Sequence, residues 1–384
     1  MREPRLGESI RLKCGLLIDG TGREPIQHAI VTVKNGQIVG IERVDNVRAG
    51  HEEFDFGSSE CVMLPGFINA HVHNAYDETS LRRWANDGVT TVRDLMVLTE
   101  AVEPFAFRDR VNRVPEYSHL VSAGQMVCTP QGYPLEFAKP PFMPVGDNRQ
   151  AVDCVRKLVG RGVDIIKVVV ESCMLFGTPV PTLSIGQLQA IVRAAHRRNR
   201  MVSAHVTHSF DLEKAIQAGV DDVAHMIGDE IPAEMLEQMI RKNMYLVPTL
   251  ELWKEGERVL GIKSCALPNL RKYVRAGGKV ALGTDYGGHP SLSFEIGMPL
   301  TEIGLLLTAG MNPMEVVCAG TRNAAHVCNL ERVLGTIQVG KKADILMIKS
   351  NPLEDMDSLR GAKFVMHNGA VIRNFEEEAI ACSN

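Results

Sequence analysis

The sequence predicts an α/β fold: a (β/α)8 TIM barrel with a small β-sandwich domain built from both termini. Three observations predict it. Apolar runs that read as buried strands alternate with helix-patterned segments through the middle of the chain. Each end carries two strand-like runs joined by Asn-Gly, the strongest short signal for a tight hairpin. Polar residues that look misplaced in a core recur at the C-terminal ends of the central strands, where barrel enzymes build their sites. The expected division gives residues 1–63 and 334–384 to the two parts of the β-domain and 64–333 to the barrel.

The elements follow in order. The first hairpin is IVTVKNGQIVGI (30–41), turning at Asn35-Gly36. PGFINAHV (65–72) opens the barrel, VTTVRDL (89–95) is its second strand, and SHLVSAG (118–124) is a weaker third. NRQAVDCVRKLVGRG (148–162) has helical spacing and leads into the fourth strand, VDIIKVVV (163–170). Ser184 and Gln187 make a capping-box pattern ahead of Leu188, Ile191, Val192 and Ala195. Strands MVSAHV (201–206), VDDVAHM (220–226), YLVPTL (245–250) and KVALGTD (279–285) then alternate with helices over 211–219, 231–243 and 270–278. The second hairpin, FVMHNGAVI (364–372), turns at Asn368-Gly369. Neither end has enough strands to be stable alone, so the two are expected to share one domain. A doubly wound open sheet is the alternative; no Gly-rich phosphate loop follows the first strand, which removes its commonest ligands.

Composition narrows the class. A chain of 384 residues, 45% hydrophobic, can bury a sizeable core. Its net charge of −4 gives no reason to expect nucleic acid or an anionic membrane as partner. No apolar stretch reaches bilayer length, and the N-terminus lacks a signal-peptide core. The nine cysteines are scattered without a CxxC pair and read as small buried hydrophobes of a reducing compartment. A soluble cytoplasmic protein is expected.

The misplaced polar residues are His71 and His73 on the first strand, Lys167 on the fourth, His205 on the fifth, His225 on the sixth and Asp285 on the eighth. A separation of two puts both first-strand imidazoles on one strand face. Imidazole and carboxylate suit Zn²⁺ and other first-row divalent ions. Singly, each residue has an ordinary reading: a hydrogen-bonded core histidine, or for Asp285 a turn or helix N-cap. Their coincidence at strand ends of one register does not. Lys167 poses the sharpest question, because an uncompensated buried ammonium costs several kcal/mol or loses its proton. Either Asp164 or Glu171 pairs with it, or the neutral amine captures CO2 and becomes a carbamate able to bridge two metals.

The chain resembles the metal-dependent amidohydrolase superfamily. The resemblance rests on LPGFINAHVH (64–73), on DGTG (19–22) with the first hairpin, on GVTTVRDL, GVDIIKV, SAHV, GVDDVAHM, VPTL and ALGTD in order, and on GTRNAAHVCNLERVLGTIQVGKKADILMI (320–348). Within it the sequence looks like the imidazolonepropionase-related branch, in particular members with a fourth-strand lysine, which include Xaa-Pro dipeptidases. Asn69 departs from the Asp that many members carry before HxH, outside the ligand set. The resemblance implies two divalent metal ions, with Zn²⁺ the first candidate. His71 and His73 would hold the more buried ion, and His205 and His225 the more exposed one. Lys167, as the carbamate, would bridge both. Asp285 would touch the buried ion and act as the catalytic proton shuttle.

The implied reaction is hydrolysis of an amide C–N bond, of dipeptide or N-acyl amino acid type, by a bridging hydroxide. The partner is then a small-molecule amide, and the resemblance leans toward a homo-oligomer. Candidate substrate-binding residues are Tyr133, whose hydroxyl would polarise the carbonyl, and Arg93, His208 and His289. Arg93 has a structural alternative, an ion pair with its neighbour Asp94. Three other readings stay open. One is a mononuclear zinc cyclic-amide hydrolase or deaminase, with His71, His73, His205 and Asp285 on one metal and His225 acting on substrate. Another is a carbamate, ester or phosphotriester hydrolase on the same site. The third is a non-catalytic scaffold, against which all six candidate ligand positions carry competent residues.

Overall fold

The computed structural model describes residues 8–45, 55–97, 103–134, 142–173, 179–287, 292, 294–361 and 363–374. His289 lies outside the described residues.

Both termini contribute to one mixed sheet. Its strand order is Ala370–Arg373, Phe364–His367, Ile345–Ile348, Asp55–Pro65, Ser9–Leu17, Ile26–Lys34 and Gln37–Arg43. Each Asn-Gly turn has the two positive φ angles that a tight hairpin demands: 51° and 77° at Asn35 and Gly36, 51° and 81° at Asn368 and Gly369. The sheet also curls over on itself. Gly340 N donates to Ile38 O, and Ala343 N to Gly36 O at 2.9 Å. The two hairpin turns meet: a Cβ on Gly369 would lie 2.2 Å from Gly36 Cα. Between the layers sits a separate core of Leu12, Cys14, Val31, Met63, Ile345, Met347 and Phe364. The shared β-domain expected from the two hairpins is therefore present.

The central strands are parallel and form a ring. Phe67–Val72, Val89–Asp94 and His119–Ser122 pair in order. Asp164 N donates to Ser122 O, carrying the ring to Ile166–Val169. Val202–His205, Asp222–Ala224, Tyr245–Val247 and Lys279–Val280 continue it in register. The chain beyond Val280 returns to the first strand: Ala70 N donates to Leu282 O, Asp285 N to His71 O and His73 N to Tyr286 O. These strands are short and, apart from His119, His205 and Lys279, buried on both faces, as a barrel wall with helices outside requires. Ile68, Ala70, Val121, Tyr245, Val247 and Ala281 fill one end of the interior, and the helix Ala324–Val327 packs against them.

Local chemistry sets the helix ends. Asn148–Arg161 starts on Asp147, whose side chain accepts from Gln150 N, and stops at Gly162 with φ 99°. The capping box of Ser184 and Gln187 is formed. Ser209–Ala218 ends at left-handed Gly219. Several expected bounds need correction, and the eighth strand, expected over 279–285, is Lys279–Val280. The seventh strand stops at Val247 rather than Leu250, because Thr249 turns left-handed and starts a further helix, Leu250–Leu260. The helix expected over 270–278 runs from Ala266 to Arg275. Among the described residues, no helix is long and apolar enough to cross a membrane.

Candidate active site

The candidate ligands converge at the C-terminal ends of the barrel strands. His71 Nε2 and His73 Nε2 lie 3.0 and 3.1 Å from the same oxygen, Asp285 Oδ1. They are 3.3 Å from each other. The His71 and His225 rings are 4.7 Å apart between centroids, and those of His225 and His205 4.5 Å. His71, His225 and Asp285 place their ligand atoms within 4.8 Å of one another, which makes a cluster able to hold a metal ion. All six predicted ligands lie in this neighbourhood, with five of them buried and His205 partly so.

Three residues at the site have left-handed backbones. His225 (φ 75°), Thr249 (φ 46°) and Asp285 (φ 65°) all adopt the left-handed conformation just past their strands. L-residues pay for this geometry, and such strain gathers at functional sites where surrounding contacts over-determine it. At Asp285 the bonds between the first and eighth strands do so. Asn69 adds a clip: its Oδ1 accepts from Thr284 N and His71 N, and its Nδ2 donates to Thr284 Oγ1. The departure at Asn69 thus leaves the ligands held.

The electrostatics favour neutral nitrogens. Burial pushes His71, His205 and His225 well below the usual imidazole range, and Lys167 pushes in the same direction. Neutral imidazoles keep the lone pair that a metal needs. Lys167 is itself pushed down to about 7 by burial, against the pull of Asp222 and Asp285. Its Nζ has no hydrogen-bond partner among the described residues, and Asp285 Oδ1, although close to the His71 and His73 nitrogens, receives no aligned hydrogen bond. The ion pairs considered for Lys167 are not formed. Asp164 is held by Arg108 at 2.8 Å, and Glu171 accepts from Cys173 N and Thr207 Oγ1. An orphaned amine, and a carboxylate oxygen facing two imidazole nitrogens, fit a divalent-ion site.

The candidate substrate-binding residues fare differently. Tyr133 stacks on His205 at 5.1 Å and 20°, and burial, then Asp285 and Glu171, raise its hydroxyl, so it remains a proton donor. His208 caps Ser209–Ala218 by accepting from Phe210 N, with Nε2 3.5 Å from Asp229. Arg93 is turned into the barrel interior. Its guanidinium donates to Ala70 O, to Val327 O and to both oxygens of Asp222. Its partner is not Asp94, because adjacent strand residues face opposite sides. Asp94 instead accepts from Ala75 N and Met96 N.

Two neighbours of the site are given no site role by the sequence, where Glu171 is weighed only as an ion-pair partner of Lys167. Glu171 Oε2 lies 3.7 Å from His205 Nε2. Its separation of four from Lys167 on an extended segment was the available signal, since even spacings share a face. Thr249 Oγ1 lies 2.9 Å from His225 Nδ1 and carried no such signal, reading only as the end of a strand.

The sequence profile of the Amidohydrolase family matches residues 62–372. An ochratoxinase of Aspergillus niger is 31% identical over 233 residues, 56% of this chain. That match spans 46% of the ochratoxinase, so this chain covers less than half of that relative's length. An imidazolonepropionase of Rubrobacter xylanophilus is 36% identical over 108 residues, 24% of this chain and 26% of that one. The solved structure of a Xaa-Pro dipeptidase with bound methionine in its active site superposes with a TM-score of 0.81 over 96% of this chain and 100% of that chain. At 22% identity this likeness concerns the fold.

Proposed function

This chain belongs to the Amidohydrolase family, and from that premise we propose that it is a binuclear metal-dependent hydrolase of an amide C–N bond in a dipeptide or N-acyl amino acid. The observation that carries the proposal is Lys167. Its amine is fully buried, has no partner among the described residues and stands among neutral imidazoles. Only a neutral amine captures CO2, and the resulting carbamate, formed with loss of one proton, would turn an orphaned amine into an anionic, two-oxygen ligand.

His71, His73 and Asp285 would hold one ion, His205 and His225 the other, and the Lys167 carbamate would join them. Zn²⁺ suits this donor set. When bound, the ions would supply Lewis-acid activation of water and of the scissile carbonyl. The chain's own residues do the rest. Asp285 takes a proton from the attacking water and passes it to the leaving nitrogen. Tyr133, protonated beside His205, donates toward the carbonyl oxygen. Binding of a substrate carboxylate falls to His208 or His289, since Arg93 is consumed by Asp222. A reducing, cytoplasmic setting is part of this reading and rests on cysteines scattered along the sequence without a CxxC pair.

A second reading has its own support. Among the described residues one cluster, His71, His225 and Asp285, can hold a metal ion, which suits a one-metal cyclic-amide hydrolase or deaminase in which His225 is a ligand instead of acting on substrate. Metal content decides. Protein prepared with Zn²⁺ and bicarbonate is expected to hold two equivalents, and Lys167→Ala to lose metal and amidase activity together. One equivalent in both proteins would transfer the assignment to the one-metal reading.

A further inference from the structure

Thr249 stands at the N-cap of the helix Leu250–Leu260, where a threonine hydroxyl normally accepts from its own helix. It makes no such cap bond. Its backbone is left-handed, at φ 46° and ψ 50°, which a β-branched residue adopts only under constraint. The hydroxyl lies instead 2.9 Å from His225 Nδ1, and Thr249 is fully buried.

The orphaned helix terminus is served from elsewhere. Glu302, on the first turn of Leu300–Thr308, is fully buried and uses both carboxylate oxygens. Oε1 accepts from Leu250 N at 2.9 Å and Oε2 from Glu251 N at 2.7 Å. A neighbouring helix thus supplies the cap that Thr249 withholds. The segment between strand and helix is tied further by His225 N donating to Val247 O and Met226 N to Pro248 O.

We propose that Thr249 and Glu302 are positioning residues for His225: Glu302 caps the helix in place of Thr249, and the freed Thr249 hydroxyl accepts the Nδ1 proton of His225. A neutral imidazole that donates Nδ1–H keeps its lone pair on Nε2, so the pair fixes both tautomer and ring orientation. This rests on the metal-site reading above, in which His225 is a ligand.

The test uses the full chain and Zn²⁺ alone. Affinity is measured by competition with a chromophoric chelator for the native chain, Thr249→Val, Thr249→Ser and Glu302→Gln. Thr249→Val should weaken Zn²⁺ binding by about 10–100-fold, the range for loss of such an outer partner. Thr249→Ser should stay within about threefold, and Glu302→Gln should fall between them. Selective ¹⁵N-histidine spectra of the metal-free native chain give a second readout, with His225→Gln assigning the signal. They should show His225 protonated at Nδ1, a preference that Thr249→Val abolishes. Native affinity in Thr249→Val, or an Nε2-protonated His225 in the native chain, overturns the proposal. If the native chain binds no Zn²⁺, the metal reading fails, and the tautomer measurement still decides whether Thr249 orients His225.

Discussion

Lys167 and Asp285 carry the predictions at the scale of single residues. In metal-free protein without bicarbonate, Lys167 is held down to about 7 by burial, whereas an unfolded lysine stays near 10.5. Between these values the unfolded chain binds a proton that the folded chain refuses. Stability should therefore rise with pH across that window by about 1.4 kcal/mol per unit, with a constant penalty below it. Denaturant titrations at several pH values should show this slope in the native chain and lose it in Lys167→Met. Asp285→Asn keeps the shape and one oxygen but cannot accept the water proton. It is expected to keep most of its metal and lose at least about a hundredfold in kcat; full turnover would remove Asp285 from the shuttle role. The residue types were legible because imidazoles and an ammonium are conspicuous on buried strands. Arg93 misled for the same reason: it is equally conspicuous, yet it faces Asp222 inside the barrel.

At the scale of elements, the spacing of two that pairs His71 with His73 fixes only which way the strand faces. Their closeness to Asp285 depends on the seam between the first and eighth strands, which Asn69 clips through Thr284 and the His71 amide. Asn69→Ala leaves buried groups unpaired there. It should lower stability by about 1–3 kcal/mol in denaturant unfolding and weaken metal retention on dialysis. Unchanged metal retention would show that the seam holds without the clip. Helices with their own caps, such as Asn148–Arg161 and the one after Ser184, were readable from the sequence because their stop and start signals are local. The helix Leu250–Leu260 was not, because its cap arrives from Glu302, about fifty residues away in sequence.

Across the whole molecule, the β-domain depends on a meeting of distant turns. Gly36 and Gly369 lie against each other, and both have positive φ. Gly369→Ala should cost more than about 1 kcal/mol in denaturant unfolding, since its Cβ has no room and its backbone becomes strained; a change near zero would mean that the turns separate freely.

The sequence by itself determined the alternation of strands and helices, the two Asn-Gly hairpins and the set of chemically unusual side chains, because hydrophobic period, turn chemistry and residue type are local properties. Tertiary structure alone decided which of these side chains meet. Asp285 reaches His71 and His73 only because the eighth strand returns to the first. Lys167 is left without a partner among the described residues because Arg108 and Thr207 claim the carboxylates beside it in sequence. Thr249 serves His225 because another helix relieves it of its cap. Each outcome is a competition among groups far apart in the chain for a few hydrogen bonds in a closed interior, and its winner is set by proximity in space.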